Sequence, residues 1–515
     1  MARLVARALR VGRSALMQTD SLAAYQGSYR LSYLIPALLW PEPAILALPD
    51  NLLQGVLQQD IPNLQQGLPV VKPVLAGDRW PDDSFRGLLV TSAQGWLSDR
   101  LTSDHTSSRF PPGIPTLIDR ASALEQWARD QLSIALSAQD WELLMLAYPS
   151  QRTAIRDMRV RITHTVFQHP ANPYGCHLIE EPEKALLYEL YELLGTHSAG
   201  DSVSRSHASS PVKPNASSPM PYQWQQFWQQ FTHTDSLAWS YLNRELGSVV
   251  LRCGPTDIRE RLAPVWAQQP VVLIGAALDA DSQAKPYRDR LGLGEMTCLR
   301  FGPDRHNDLV QLYLPDHLPM PNTSHFQNAA LQEIRRLLGV KSETDVLLSD
   351  HAARQGPTVI VVGDVPLRAQ LAAVLAAEFG SRVQVEAPVG HQGILITGWE
   401  YWREHQTAFE VPCLLIITTL PIPSLENPLV AGRVASYKRR RQDWFKAYLL
   451  PTALSELQHA VAPVRSQQGV IALLDNRVNH RSYGAHILAA LSPAARSSYL
   501  DATWFKASAT GAIDP

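Results

Sequence analysis

The sequence has 515 residues, with 46 Lys+Arg against 48 Asp+Glu, a formal net charge of −2 and 45% hydrophobic residues. That length suits two or three domains, and the near-neutral balance excludes a histone-like basic protein, so any nucleic-acid contact must come from a local patch. Only eight of the basic residues are lysines; none precedes Lys72 and none stands in a Gly-Lys-Ser/Thr tripeptide, which excludes a lysine-dependent phosphate loop.

In chain order, residues 1–10 place Leu4, Val5 and Leu9 at helical spacing between arginines. This reads as an amphipathic first helix, because the continuous apolar stretch of a secretory signal is missing. Short, near-continuous apolar runs follow at 44–48, 87–92, 116–119, 271–278, 358–363, 393–397, 414–419 and 470–474. Runs this short and this apolar predict strands buried on both faces, as in parallel sheets covered by helices. Helical patterns at 367–379 and 450–461 lie between them, giving an α/β protein with two sheets. Each apolar run is interrupted well before about 18 residues, so no membrane span is expected.

Four units are expected: 1–121, the first part of one lobe; 122–240, a mostly helical insertion; 241–310, the remainder of that lobe; and 311–515, a second lobe. The insertion is rich in Trp and Tyr, and its stretch 197–222, rich in Ser, Pro and Ala, is expected to be a mobile loop. The Pro-rich run 314–321 is expected to connect the lobes, with the second sheet starting after it. Cysteines 176, 253, 298 and 413 have neither zinc-ligand nor redox spacing and form no set for an iron–sulfur cluster. They read as scattered buried thiols of a cytoplasmic protein.

Two surface features merit weighing as sites. Lys438, Arg439, Arg440 and Arg441, followed by Trp444, Phe445 and Tyr448, form the strongest basic cluster. Basic residues interleaved with aromatics grip phosphates and stack bases, although a charge run more often marks a solvated surface. Trp402, with Tyr401, is a second nucleic-acid candidate, set against the commoner fate of such aromatics in a core. His164, His169 and His177 lack carboxylates at metal spacing, so no metal site is assigned. The sequence also shows no Ser-His-Asp or Cys-His arrangement.

The segments Leu420–Ser424, Asn427–Val430, Tyr448–Pro451, Gly469–Val478 and Tyr483-Gly484 resemble, in order and spacing, the C-terminal lobe of DinG/XPD-type superfamily-2 DNA helicases. The run 358–363 resembles the opening strand of that lobe, 311–315 its interlobe connection, and Leu31–Leu38 the helix after the family's phosphate loop. The resemblance covers essentially the whole chain apart from the insertion. It implies two RecA-like lobes of the P-loop NTPase helicase fold, clamping ATP with Mg²⁺ and moving along DNA. The chain opens inside what would be the family's first helix, which leaves room for an upstream segment.

Set against that family, the chemistry-bearing positions are altered. Anchoring on Leu31–Leu38 puts Ser28, Tyr29 and Arg30 where Gly-Lys-Thr would stand, and Arg30 becomes the candidate phosphate contact. The Asp-Glu-Ala-His motif reads Asp119-Arg120-Ala121-Ser122, keeping the Mg²⁺-holding acid and replacing the general base with an arginine, which cannot be deprotonated. Gly275-Ala276-Ala277-Leu278 has lost both hydroxyls of the third motif, and Tyr401–Gln406 keeps only the aromatics of the fifth. In the sixth, Gln458 and Arg465 persist and the arginine finger is Ala462. No cysteine stands in 51–116, so the family's iron–sulfur cluster is not expected.

Five such changes together point to a nucleic-acid-binding helicase fold, a pseudoenzyme with impaired or lost ATP hydrolysis. The competing expectations are an active helicase working through a non-standard phosphate loop, with ATP and Mg²⁺ bound, and a protein–protein adaptor on a helicase scaffold. DNA, single-stranded or duplex, is the expected partner, with a protein partner under the adaptor reading and no membrane.

Overall fold

The computed structural model describes residues 1–69, 72–102, 108–195, 220–302, 309–339, 356–501 and 504. Almost all of the 197–222 stretch expected to be a mobile loop lies outside them; Tyr222 already opens a helix, Tyr222–Phe231.

The chain forms β1 (Ala15–Thr19), β2 (Ala44–Leu48), β3 (Val74–Ala76), β4 (Leu88–Ser92) and β5 (Thr116–Ile118) before the insertion. The insertion contributes β6 (Ile134–Leu136), β7 (Cys176–Leu178), β8 (Ser236–Asn243) and β9 (Ser248–Pro255). The chain then returns through β10 (Val271–Ala276) and β11 (Thr297–Arg300) to complete a sheet ordered β11-β1-β10-β5-β2-β4-β3. Every pairing in this sheet is parallel. The second sheet takes β12 (Val310–Tyr313), β13 (Thr358–Val361), β14 (Val383–Val385), β15 (Ile394–Thr397), β16 (Leu414–Ile417), β17 (Val470–Leu473) and β18 (Ala494–Ser497). Its order is β14-β15-β13-β16-β17-β12-β18, again all parallel.

The strands are apolar at consecutive positions because both sheet faces are covered. In the first sheet, Leu16, Ile45, Leu89, Ile118 and Leu273 point to one core while Met17, Leu46, Val90, Leu117 and Ile274 point to the other. The second sheet divides the same way, Val359, Leu415 and Ile471 against Ile360, Ile416 and Ala472. Successive residues alternate faces along a strand, so only a doubly covered sheet can bury every one of them. All eight predicted strands are present, with bounds within two residues at each end.

Two features differ from the sequence reading. β12 lies before the Pro-rich run and pairs with β17 and β18, so the second sheet already includes the segment taken as interlobe connection. The insertion's helices are joined by a small sheet that runs on past residue 240. β8 and β9 form a long antiparallel hairpin inside a sheet ordered β6-β9-β8-β7, reaching Pro255. Its helices pack Trp141, Trp224, Phe227, Trp228 and Phe231 into a separate core, with Trp141 and Trp224 edge to face at 4.7 Å. Among the described residues, no helix is long and apolar enough to cross a membrane.

Candidate functional site

In open parallel sheets, ligands bind outside the carboxyl ends of the strands, where chain crossovers diverge. At the carboxyl end of β1 the chain does not form a glycine-rich loop. Asp20 caps the helix Ser21–Gln26, its carboxylate accepting from the Leu22 and Ala23 amides at 2.8 and 3.2 Å. This consumes the donors of the helix N-terminus that a phosphate loop would offer. Gly27 then turns the chain at φ 74° into a short 3₁₀ turn, Ser28–Arg30, leading into the helix Leu31–Leu39.

Tyr29 and Tyr33 stand one helical turn apart and project onto the carboxyl end of β5. Their hydroxyls donate to the two oxygens of Asp119 at 2.5 and 2.8 Å, and the Arg120 amide donates to the same carboxylate at 2.7 Å. Asp119 is fully buried, and burial raises its pKa against these three hydrogen bonds, which favour the charged form. Burial, and then Asp119 itself, push both phenols well above their ordinary value, so they remain donors. A carboxylate with three donors and no exposed surface does not fit a magnesium ion.

The other residues that the resemblance assigns to the nucleotide site also have partners. Arg30, the candidate phosphate contact, faces away from the cleft: its guanidinium lies against Gly27 and pairs with Asp60 at 2.9 Å. Arg465, almost wholly buried, donates to the carbonyls of Leu491 and Pro493 at 2.5 and 2.9 Å. The Gln18 amide ties β1 to the loop after β10 by donating to Asp281 O at 3.0 Å and accepting from the Asp279 amide at 3.2 Å. Between these residues and Gln458 the cleft leaves a cavity of about 40 Å³.

Immediately beside it, a second space of about 610 Å³ opens between the lobes. Its walls come from the first-lobe helix Leu124–Leu132, the helix Lys285–Leu291, and the second-lobe helices Trp399–His405, Pro428–Arg439 and Leu450–Arg465. Charge is divided along it. At one end Glu125 accepts from Arg290 at 2.9 Å and from Arg129 at 3.0 Å, with Arg433 close by. Burial would raise the Glu125 carboxyl, but the arginines hold it down at about 2; with Asp130 on the same wall, this end carries three guanidinium groups against two carboxylates. At the other end Glu400, Glu404 and Glu456 surround Arg403, which pairs with Glu456 at 3.0 Å. His459 lies between the ends and is neutral, held down at about 4 by burial and by the charges of Arg403 and Arg120.

The basic run 438–441 follows the last turns of the helix Pro428–Arg439. Arg440 pairs with Asp257 and, at 3.3 Å, with Asp235 of the insertion, and the buried Ser436 and Thr256 hydroxyls meet at 3.2 Å. Lys438 sits over the Trp444 ring at 5.4 Å, while Arg439 and Arg441 are exposed. Within the run, Arg440 therefore braces the insertion against the second lobe. Trp402 is fully buried in the second-lobe core and donates its indole N–H to Ala460 O at 3.0 Å, which leaves no ring face for a base. His169 and His177 stack at 5.0 Å, with His169 2.9 Å from Glu183 in the insertion; among the described residues, no group of three or more His, Cys, Asp or Glu is placed to hold a metal. Tyr29, Tyr33, Glu125, Arg290 and Arg433 were missed in the sequence. The only local signal was the i, i+4 spacing of the two tyrosines.

No protein-family model matches the chain. Its sequence is 23% identical over 250 residues to the ATP-dependent DNA helicase YoaA of Escherichia coli strain K12, an alignment spanning 47% of this chain and 39% of that protein. The Haemophilus influenzae protein of the same name is 21% identical over 236 residues, 45% of this chain and 36% of the relative. The matched region thus spans less than half of either relative. Among solved structures, the fold is similar to that of Xpd4 from S. tokodaii, at a TM-score of 0.58 and 11% identity over 96% of this chain and 98% of that one. A structure titled as the apo form of XPD is matched at the same score and identity. Sequence and fold together relate the chain to the DinG/XPD-type superfamily-2 helicases, the family its motifs resemble.

Proposed function

We propose that this protein is a helicase-fold DNA-binding protein whose ATP cycle is lost or nearly lost, and that it holds single-stranded DNA at the basic end of the interlobe groove. The observation that carries the reading is the cage of Tyr29 and Tyr33 around Asp119, which closes that carboxylate to magnesium with side chains of the protein itself. Arg120 in place of the general base and Ala462 in place of the arginine finger act in the same direction. In related phosphoryl-transfer systems the finger alone is worth about 10³–10⁵ in rate.

The open groove supports the binding half of the proposal. Arg129, Arg290 and Arg433 converge there around Glu125, with Asp130 on the same wall. Guanidinium groups held in fixed geometry suit phosphates. The strand lies where the two lobes and the insertion meet.

The test combines two measurements on the full chain. Steady-state ATP hydrolysis is expected at background, with no stimulation by single-stranded DNA. A fluorescent oligonucleotide is expected to bind at low salt and to weaken as salt rises, because phosphate contacts release counterions. Turnover stimulated by DNA would replace this reading with that of an active helicase. Absence of binding at low salt would leave only the adaptor.

A further inference from the structure

The insertion hairpin has two dissimilar faces. Ala238, Leu251 and Cys253 point into the insertion core, as the covered face of a sheet requires. Leu237, Trp239 and Tyr241 on β8, with Arg252 and Gly254 opposite them on β9, point the other way, toward the helix Pro428–Arg439. A sheet covered on one side ordinarily places polar residues on its other face. Here that face carries two aromatic rings and an arginine, with the Arg252 guanidinium 5.8 Å from the centre of the Tyr241 ring.

Packing against the second lobe does not use this face up. Contact is made where Leu237 meets Gly432, whose missing Cβ makes room for it: a Cβ there would stand 2.6 Å from a Leu237 methyl. Beside that contact a cavity of about 70 Å³ remains, walled by Trp239, Tyr241, Arg252, Leu429 and Pro255. Trp239 is only 7% exposed, and its indole N–H completes no well-formed hydrogen bond, the Tyr241 hydroxyl being the acceptor near it. An unpaired buried donor costs about 1–3 kcal/mol, which a ligand carbonyl would recover. The cavity shares Arg129 and Arg433 with the groove and opens off its basic end.

We propose that this cavity is a nucleobase pocket, in which the edge of one base of the bound strand turns out of the groove, packs against Trp239 and accepts the indole N–H through a ring carbonyl. The flanking phosphates rest on Arg129 and Arg433. The size of the pocket limits how much enters: a cavity of about 150 Å³ is what admits a whole benzene ring, so about 70 Å³ takes the carbonyl edge of a base and leaves the rest of its ring in the groove. The inference rests on the strand reading above and adds to it a base contact that phosphate binding alone does not supply.

Two oligomers of 20 nucleotides test it on the full chain: oligothymidylate, and an abasic strand with the same phosphates. In fluorescence anisotropy the thymidylate is expected to bind about tenfold more tightly, the scale of one stacked base. Trp239→Leu is expected to reduce that ratio below about twofold while leaving abasic affinity unchanged. Should Trp239→Leu fail to fold, the unmutated protein carrying 5-fluorotryptophan gives the same answer by ¹⁹F NMR, with the Trp239 resonance assigned by its absence in Trp239→Phe. A shift of that resonance with thymidylate and not with the abasic strand is the expected result. Equal shifts, or none with either bound strand, overturn the pocket and leave the strand reading standing. Failure of both oligomers to bind at low salt overturns the strand reading and the pocket with it.

Discussion

Two clefts open between the lobes, and Ala277 lines both. On one side of it little space is left: about 40 Å³ remains, Arg465 in its wall donates to backbone carbonyls, and at the neighbouring strand end Asp119 is enclosed by two phenols. On the other side about 610 Å³ stays open, although its arginines are tied as well to neutral groups, Arg129 to the carbonyls of Pro255 and Thr256 and Arg433 to the Tyr448 hydroxyl. Both clefts are built from polar residues at strand ends. The difference is whether those residues satisfy one another completely. Asp119, fully enclosed while accepting three hydrogen bonds from its own chain, is out of a ligand's reach, whereas Arg290 and Arg433 keep N–H donors beyond those spent on Glu125, Ala447 and Tyr448.

That contrast can be broken at several points. The largest effect is expected at the groove, where Arg290→Ala leaves Glu125 buried with half of its direct partners. Removing one partner of a buried ion pair costs about 3–5 kcal/mol, to be read from urea denaturation, and oligonucleotide affinity should fall with it. A loss below about 1 kcal/mol would mean that the network is solvated and the groove is not built around it.

Acid should act on the same end. The Glu125 carboxyl is held at about 2 in the folded protein against an ordinary 4.5. A depressed carboxylate contributes stability that is fully present above about pH 4.5 and lost as pH falls through about 2, roughly 3 kcal/mol in all. The stability difference between the unmodified protein and Glu125→Gln, followed by urea denaturation from pH 6 downward, should therefore shrink over that window. A difference independent of pH would remove the ion network as its cause.

On the filled side, Tyr33→Phe takes one donor from Asp119. A hydrogen bond to a buried charged group is worth about 1.5–3 kcal/mol, so urea denaturation should show a loss of that size while ATP hydrolysis stays at background. Hydrolysis appearing in the variant would show that the phenol had only been obstructing a competent site. The smallest effect is expected from Arg439→Ala with Arg441→Ala, two exposed arginines of the basic run. Stability should stay within about 0.5 kcal/mol. If both arginines touch the strand, the slope of binding against salt falls by about 2, one for each phosphate contact. An unchanged slope would confine the strand to the groove.

Much of the fold was legible because its strands are local signals. A run such as Leu414–Ile417 is apolar at each position only if both faces of its sheet are covered, and that reading needs no knowledge of the neighbouring strands. β1 was missed because Ala15–Thr19 ends in Gln18 and Thr19, polar residues that are buried by pairing with β10 and by bonds to its following loop. β8 and β9 were missed because their aromatic and charged outer face breaks the alternation expected of a half-buried strand. Trp402 was misplaced among the nucleic-acid candidates because the aromatic–charged context of the fifth motif says nothing of depth; the carbonyl of Ala460, 58 residues on, holds its indole in the core.

By itself, the sequence determined that no lysine could serve a phosphate loop, that two parallel sheets form, and that the family's chemical positions are altered. It could not say what stands in their place. Tyr33 and Tyr29 reach Asp119 across 86 and 90 residues, and Glu125 and Arg290 meet across 165. Composition and periodicity report on neighbours along the chain, within a turn of helix or a few positions of strand. Which distant polar groups satisfy one another depends on the order of strands in the sheets, and the tertiary structure alone decided that one cleft would close on itself while the other stayed open.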